Sequence, residues 1–345
     1  MVSLKLLFIQ TTCELMNLFY ICNKSGLMNS GSRKAIEVQN LVKSYDGKKN
    51  AVDDISFTVK EGEIYGLLGK NGAGKSTTIK ILTTLIEPTS GKVDVLGFSP
   101  SKHALQIKKR IGVVQQAESF DFTTVENNMK VYATLWELPR EEAKARTEEL
   151  LELFELTEVR KTRAFELSGG QKKKLQVARE LMHDMDILFL DEPTVGMDPI
   201  MRRRILDNIG KRAAGGMTVL FTTHFLEEAD YICDRIAIMA NGRIKVEGTS
   251  SELKSKYGGL RTLEITAPEQ PGEAQVSELK NALIDAQLAQ DTVIEGKTVK
   301  IIGRNITKVL EDILRLTRKY VKNIDSINLR DATLDDVFIE VVNNQ

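Results

Sequence analysis

The chain of 345 residues is poor in cysteine, carries no excess of either charge and has no long uninterrupted apolar run. Its three cysteines, Cys13, Cys22 and Cys233, form no close pair. That excludes a disulfide framework and a cysteine zinc site, and it fits a reducing, cytosolic compartment. The 48 Lys and Arg balance 48 Asp and Glu, a net charge of zero. A general nucleic-acid binder needs a basic footprint, so no nucleic-acid partner is expected. The most apolar stretch, Leu4 to Cys22, is broken by Lys5, Gln10, Thr11, Thr12, Glu14 and Asn17, too polar for a membrane-spanning helix. Met28 precedes a flexible run, Asn29-Ser30-Gly31-Ser32, so residues 1–33 read as an extension and translation is expected to start at Met28 rather than Met1. No internal repeat or low-complexity tract is visible.

What is present is a phosphate-binding loop. Gly69-Lys70-Asn71-Gly72-Ala73-Gly74-Lys75-Ser76 fills every fixed position of G-x-x-x-x-G-K-[ST]. A buried-strand run, Glu63 to Leu68, leads in, and Thr77 to Leu82 reads as the first turns of a helix. The glycines allow backbone N–H groups to point inward at a phosphate chain, and the helix start adds partial positive charge. Lys75 is placed to reach the outer phosphates. The Ser76 hydroxyl is placed to ligate Mg²⁺, with Thr77 beside it.

Around the loop, short apolar runs alternate with helical patterns. Ala35 to Val59 alternates apolar and polar about a turn at Tyr45-Asp46-Gly47. Ile111 to Val114, Ile187 to Leu190 and Met217 to Phe221 read as core strands, and Thr124 to Leu156 reads as helical. The alternation predicts an α/β fold with a mainly parallel sheet. Composition shifts near Tyr257. Beyond it, helices near 276–286, 306–320 and 334–342 and strands near 299–302 and 324–329 suggest a small α+β domain over 259–345, after a nucleotide-binding domain over 34–258.

Five further motifs narrow the reading. Leu167-Ser168-Gly169-Gly170-Gln171 is an intact LSGGQ signature, and the strand Ile187 to Leu190 ends in Asp191-Glu192, the Walker B form. Val195-Gly196-Met197-Asp198 stands in the D-loop place, and Thr222-Thr223-His224 closes the next strand as an H-loop does. Val113-Val114-Gln115-Gln116 fits a Q-loop, with Gln116 preferred to Gln115, and Tyr45 lies where an adenine-stacking aromatic is expected. In this order the set resembles the nucleotide-binding domain of ABC (ATP-binding cassette) ATPases over about Ala35 to Tyr257. The departures are Gln115, where the family often has proline, and three lysines, Lys172 to Lys174, in place of an arginine-rich run. Those lysines read as a solvated helix face, and Cys233 and Trp136 as packing residues.

The resemblance implies a P-loop cassette: a mainly parallel sheet, an antiparallel β subdomain and an α-helical subdomain. It implies ATP and Mg²⁺ as cofactors. ATP would be held by Tyr45, by the loop from Gly69 to Thr77, and by Ser168, Gly170 and Asp198. Mg²⁺ would be held by Ser76, Gln116 and Asp191. Glu192 would orient and deprotonate the attacking water, with His224, Gln116 and Lys75 assisting at the γ-phosphate. Ser168 at a helix start is a second anion site in a chain that already has one, so the resemblance implies a dimer whose signature caps the partner's ATP. The run Thr333-Leu334-Asp335-Asp336-Val337-Phe338 is similar to the closing run of daunorubicin-resistance-type cassettes. That implies an ABC-2 type permease on a separate chain, a place on the cytoplasmic face of the membrane, and export of a drug, lipid or polysaccharide. The docking surface is expected within Glu118 to Glu137. The alternative is a soluble ABC ATPase acting on ribosome or nucleic acid, although ribosome-acting members usually carry two cassettes and a basic linker and SMC-type ones a long coiled coil that splits the cassette.

Overall fold

A computed structural model describes residues 33–117, 122–257, 261–303, 306–321, 323–330 and 332–343. The N-terminal stretch considered above, with Cys13, Cys22 and Met28, lies outside them. So do positions 118–121 of the expected docking surface.

The central sheet has six strands: β3 (Ile64–Gly69), β5 (Ile111–Val114), β6 (Ile187–Asp191), β7 (Thr218–Thr222), β8 (Arg235–Ala240) and β9 (Arg243–Gly248). Their order is β5-β6-β7-β3-β8-β9, parallel except for the antiparallel edge pair β8–β9. β3, β6 and β7 are buried at every residue, as parallel strands covered on both faces must be. The twofold side-chain period divides them between two cores. Leu188, Leu190, Val219 and Phe221 face a cluster shared with the helices, whereas Ile187, Phe189 and Leu220 face one shared with a second sheet.

That second sheet is antiparallel, with β1 (Lys34–Ser44) between β2 (Asn50–Lys60) and β4 (Ser90–Val95). The helical layer includes α1 (Lys75–Leu82) directly after the phosphate loop and the short α2 (Ala104–Lys108). It also holds α3 (Val125–Leu135), α4 (Arg140–Leu153), α5 (Gly169–Glu180), α6 (Pro199–Ala214), α7 (Leu226–Ile232) and α8 (Ser250–Tyr257). The helical reading of Thr124 to Leu156 resolves into two helices. Thr124 caps the first by accepting from the Asn127 amide, and Pro139, at the N-cap of the second, separates them.

Past α8 the chain builds β10 (Arg261–Thr266), α9 (Glu273–Asp285), β11 (Asp291–Glu295), β12 (Thr298–Gly303), α10 (Leu310–Tyr320) and β13 (Ser326–Arg330). The strand order β11-β12-β10-β13, antiparallel throughout, is a split βαβ arrangement with its own core. The last helix, α11 (Leu334–Asn343), returns to the cassette: Leu334, Val337 and Val341 are buried with Leu226, Ala229, Ile238 and Leu253. Thr333 and Asp336 cap it reciprocally, each side chain accepting the other's backbone N–H.

Candidate active site

β3 delivers the chain into the phosphate loop at its C-terminal edge, where open α/β sheets bind ligands. Gly74 sits at φ 109° as the N-cap of α1, and a Cβ there would lie 2.6 Å from the Ala51 carbonyl, so only glycine fits. Gly72, at φ 81°, opens onto free space. Lys75 is 5% exposed and its Nζ donates to the carbonyls of Gly69 (2.7 Å) and Lys70 (3.3 Å), so the ammonium is folded across the loop. Burial pushes its pKa down, and the carboxylates of Glu192 and Asp191 oppose that shift. The loop lysine and the Walker B pair therefore share one electrostatic site. Tyr45 is exposed in the β1–β2 turn with its hydroxyl 3.4 Å from Thr77 Oγ1, which stands an aromatic face beside the loop.

β6 and β7 pair in register at Asp191 and Thr222. The Thr222 hydroxyl donates to Asp191 Oδ1 at 2.6 Å and fixes that carboxylate. Glu192 adopts φ 51°, a conformation costly for a side-chain-bearing residue, and its amide donates to the Thr222 carbonyl at 3.1 Å. The turn points its carboxylate at His224: Nδ1 lies 3.4 Å from Glu192 Oε2, with Glu192 nearly buried and His224 half exposed. Behind them Glu228 accepts from Thr194 (2.9 Å) and Thr223 (2.8 Å) through one oxygen, joining the segment after Glu192 to the segment before His224. Burial raises the Glu228 pKa against the two hydroxyls. Thr222, Thr194 and Glu228 were not singled out from the sequence. Thr222 was legible only as part of the H-loop run, and Glu228 only as one acid of a helix start.

Ser168 caps α5. Its Oγ accepts from the Gln171 amide, and Gln171 Oε1 accepts from the Ser168 amide, a capping box that satisfies those two amides and does not use those of Gly169 and Gly170. A Cβ on Gly170 would meet the Gly196 carbonyl at 2.6 Å, so the signature lies directly against the D-loop, whereas one on Gly169 would meet nothing within 4 Å. Asp198 caps α6 by accepting from the Met201 amide at 3.0 Å, and Pro199 follows at the first helical position.

Gln115 and Gln116 are both exposed, just past β5. The lysine run departs from expectation: Lys173 is 6% exposed and donates to the Gln115 carbonyl at 2.7 Å, and Lys174 pairs with Glu155. A solvated face fails here because backbone carbonyls of the neighbouring segment supply the partner a buried ammonium needs. Trp136 does serve packing, stacked on the buried His183 with ring centroids 3.6 Å apart.

Residues 52–195 match the family model described as "ABC transporter". The linearmycin resistance ATP-binding protein LnrL of Bacillus subtilis is 34% identical over 313 residues, which cover 89% of this chain and 97% of that protein. The daunorubicin/doxorubicin resistance ATP-binding protein DrrA of Streptomyces peucetius is 34% identical over 90% of this chain and 93% of its own length. Among solved structures, the ATP-binding subunit of an ABC transporter superposes with a TM-score of 0.61 at 29% identity, over 65% of this chain and 93% of that one. A dimeric ATP-binding cassette holding ADP and phosphate gives 0.58 at 26% identity, over 62% of this chain and 98% of that one.

Proposed function

The chain belongs to the ABC transporter family of ATP-binding proteins, and from that premise we propose that it powers an exporter whose permease, of the ABC-2 type, is a separate polypeptide on whose cytoplasmic side it sits. It is an ATP-hydrolysing cassette of the P-loop fold. Among the described residues, no helix is long and apolar enough to cross a membrane. Cassettes of this family work with a membrane permease and dimerise. The names of the relatives, resistance to linearmycin and to daunorubicin, favour export of a drug, lipid or polysaccharide over import.

One observation carries the catalytic reading. A buried lysine folded over the phosphate loop shares its field with two carboxylates, one of which faces a histidine 3.4 Å away. In the proposed arrangement Gly69 to Thr77 cradle the phosphates, and Tyr45 stacks on the adenine. Ser168, Gly170 and Asp198 meet the partner subunit's nucleotide. Glu192 holds the attacking water as base, while His224, Gln116 and Lys75 bind the γ-phosphate oxygens. An oxygen-only donor set of Ser76, Asp191 and Gln116 suits Mg²⁺, which would neutralise phosphate charge. We assign the ATP chemistry to residues 34–258 and an accessory role to 259–345.

A groove of about 250 Å³ lined by Leu85, Lys108, Tyr132, Leu135 and Trp136 offers an apolar seat for the permease. Leu85 and Leu135 are among the exposed large hydrophobics, and Tyr132, Leu135 and Trp136 of the groove fall within the surface expected from the sequence.

The test is Glu192→Gln. It should retain ATP binding, reduce turnover at least 10²-fold and trap an ATP-dependent dimer on a sizing column; persistent monomer with bound ATP would refute the shared site. A permease co-purifying with the wild-type chain would identify the transporter.

A further inference from the structure

Three side chains on one stripe of α5 reach the same five-residue segment. Lys173 Nζ donates to the Gln115 carbonyl at 2.7 Å. Gln176 Nε2 donates to the carbonyls of Gln115 and Ala117, both at 3.1 Å. Glu180 Oε2 accepts from the Val113 amide at 3.1 Å. Positions 173, 176 and 180 share a helix face by their spacing of three and four residues, and positions 113, 115 and 117 run from the end of β5 into the bend that follows it. All four bonds go to the backbone of that segment, so the Gln116 side chain stays exposed.

Burying an ammonium and a carboxamide, at 6% and 3% exposure, is costly unless their donors are used. Here the donors fasten two pieces with separate duties. The segment 113–117 leads to Gln116, which faces the chain's own nucleotide. The other end of the same helix is Ser168, which faces the nucleotide of the partner subunit.

We propose that Lys173, Gln176 and Glu180 are positioning residues forming a clamp that makes the Gln116 segment and the signature move as one body. A change at one ATP site is thereby passed to the other. The clamp rests on the shared-site reading above. It acts through backbone positions, so it should leave nucleotide capture at the phosphate loop intact and affect only the joint step.

The experiment uses the full chain with Lys173→Met, Lys173→Arg and Gln176→Leu. The last keeps volume and removes both donors. Affinity for a fluorescent ATP analogue, thermal midpoint, and steady-state kcat, KM and Hill coefficient are measured for each. Lys173→Met and Gln176→Leu should bind the analogue within about twofold of wild type while kcat falls about tenfold and the Hill coefficient drops toward one. Lys173→Arg, which retains a donor, should keep kcat within about threefold. Unchanged kcat and Hill coefficient in both donor-less variants would overturn the clamp. So would parallel losses of analogue affinity, kcat and thermal midpoint that arginine does not rescue, because those describe a merely structural role. A wild-type chain that hydrolyses ATP with no dependence on protein concentration would remove the shared site itself, and the clamp with it.

Discussion

Two adjacent glycines allow the contact inside one subunit to be separated from the contact between subunits. In Gly170→Ala the new methyl carbon would stand 2.6 Å from the Gly196 carbonyl oxygen, about 0.8 Å short of ordinary contact. Both partners are backbone, so neither can swing aside; the signature and the D-loop must separate. Overpacking costs about 1–3 kcal/mol, and the alanine returns up to about 1 kcal/mol of helix propensity. The net loss is at most about 3 kcal/mol, or several degrees in thermal midpoint for a chain of this size. A displacement of this size at a catalytic surface costs far more in rate, on the order of 10²-fold. The expected result is a folded protein with normal ATP-analogue binding and kcat reduced 10- to 100-fold. In Gly169→Ala the methyl meets nothing within 4 Å in the subunit, so the thermal midpoint should hold or rise slightly. Turnover should still fall if the proposed shared site holds, because the methyl would then stand between the helix start and the partner's nucleotide. The assay is steady-state phosphate release across a range of protein concentrations, paired with a thermal melt. Wild-type turnover in Gly170→Ala would refute the signature–D-loop contact. Wild-type turnover in Gly169→Ala would refute the approach of a partner's ATP at this helix start.

Three other outcomes are expected. Lys75→Ala removes the ammonium folded over the loop and should weaken ATP-analogue binding at least tenfold, read by fluorescence titration. Burial raises the Glu180 pKa from 4.5 to about 7. The folded chain therefore holds a proton there that the unfolded chain has released, and this contribution to stability falls as pH rises from about 4.5 to about 7. Glu180→Gln, which keeps an acceptor for the Val113 amide, should raise stability by about 3 kcal/mol at pH 8 and by less than about 1 kcal/mol at pH 5, measured by denaturant unfolding. Truncation after Arg330 uncovers the seats of Leu334, Val337 and Val341, and at about 1.5–3 kcal/mol each it should lower stability by several kcal/mol in a calorimetric scan.

The parts of the site written in contiguous residues were legible before any coordinates. The phosphate loop, Asp191-Glu192, Ser168 to Gln171 and His224 each announce themselves, because a strand edge or helix start needs neighbouring residues of fixed type. Contacts made across the sequence were not. Glu228 joins Thr194 and Thr223 from a helix whose start looks like any acidic first turn. Lys173 sits in a triple-lysine run that composition assigns to water; only the carbonyl of Gln115, 58 positions earlier, makes its burial affordable. The strand pair β8–β9 was not read from the sequence, because its residues adjoin no motif. The terminal helix was legible as amphipathic from Leu334, Val337 and Phe338. The surface it covers was not, because the pattern gives the apolar face and not its partner.

The return of α11 to the cassette makes the split βαβ unit an insertion rather than a tail. Both of its ends are anchored on the same body, at Tyr257 on α8 and at Leu334 on the helix packed against α8. A single protease cut in either connection would therefore leave the unit still tethered by the other. Its liberation as a free fragment would take two cuts, and a native gel would keep one apparent species where a denaturing gel already shows two bands.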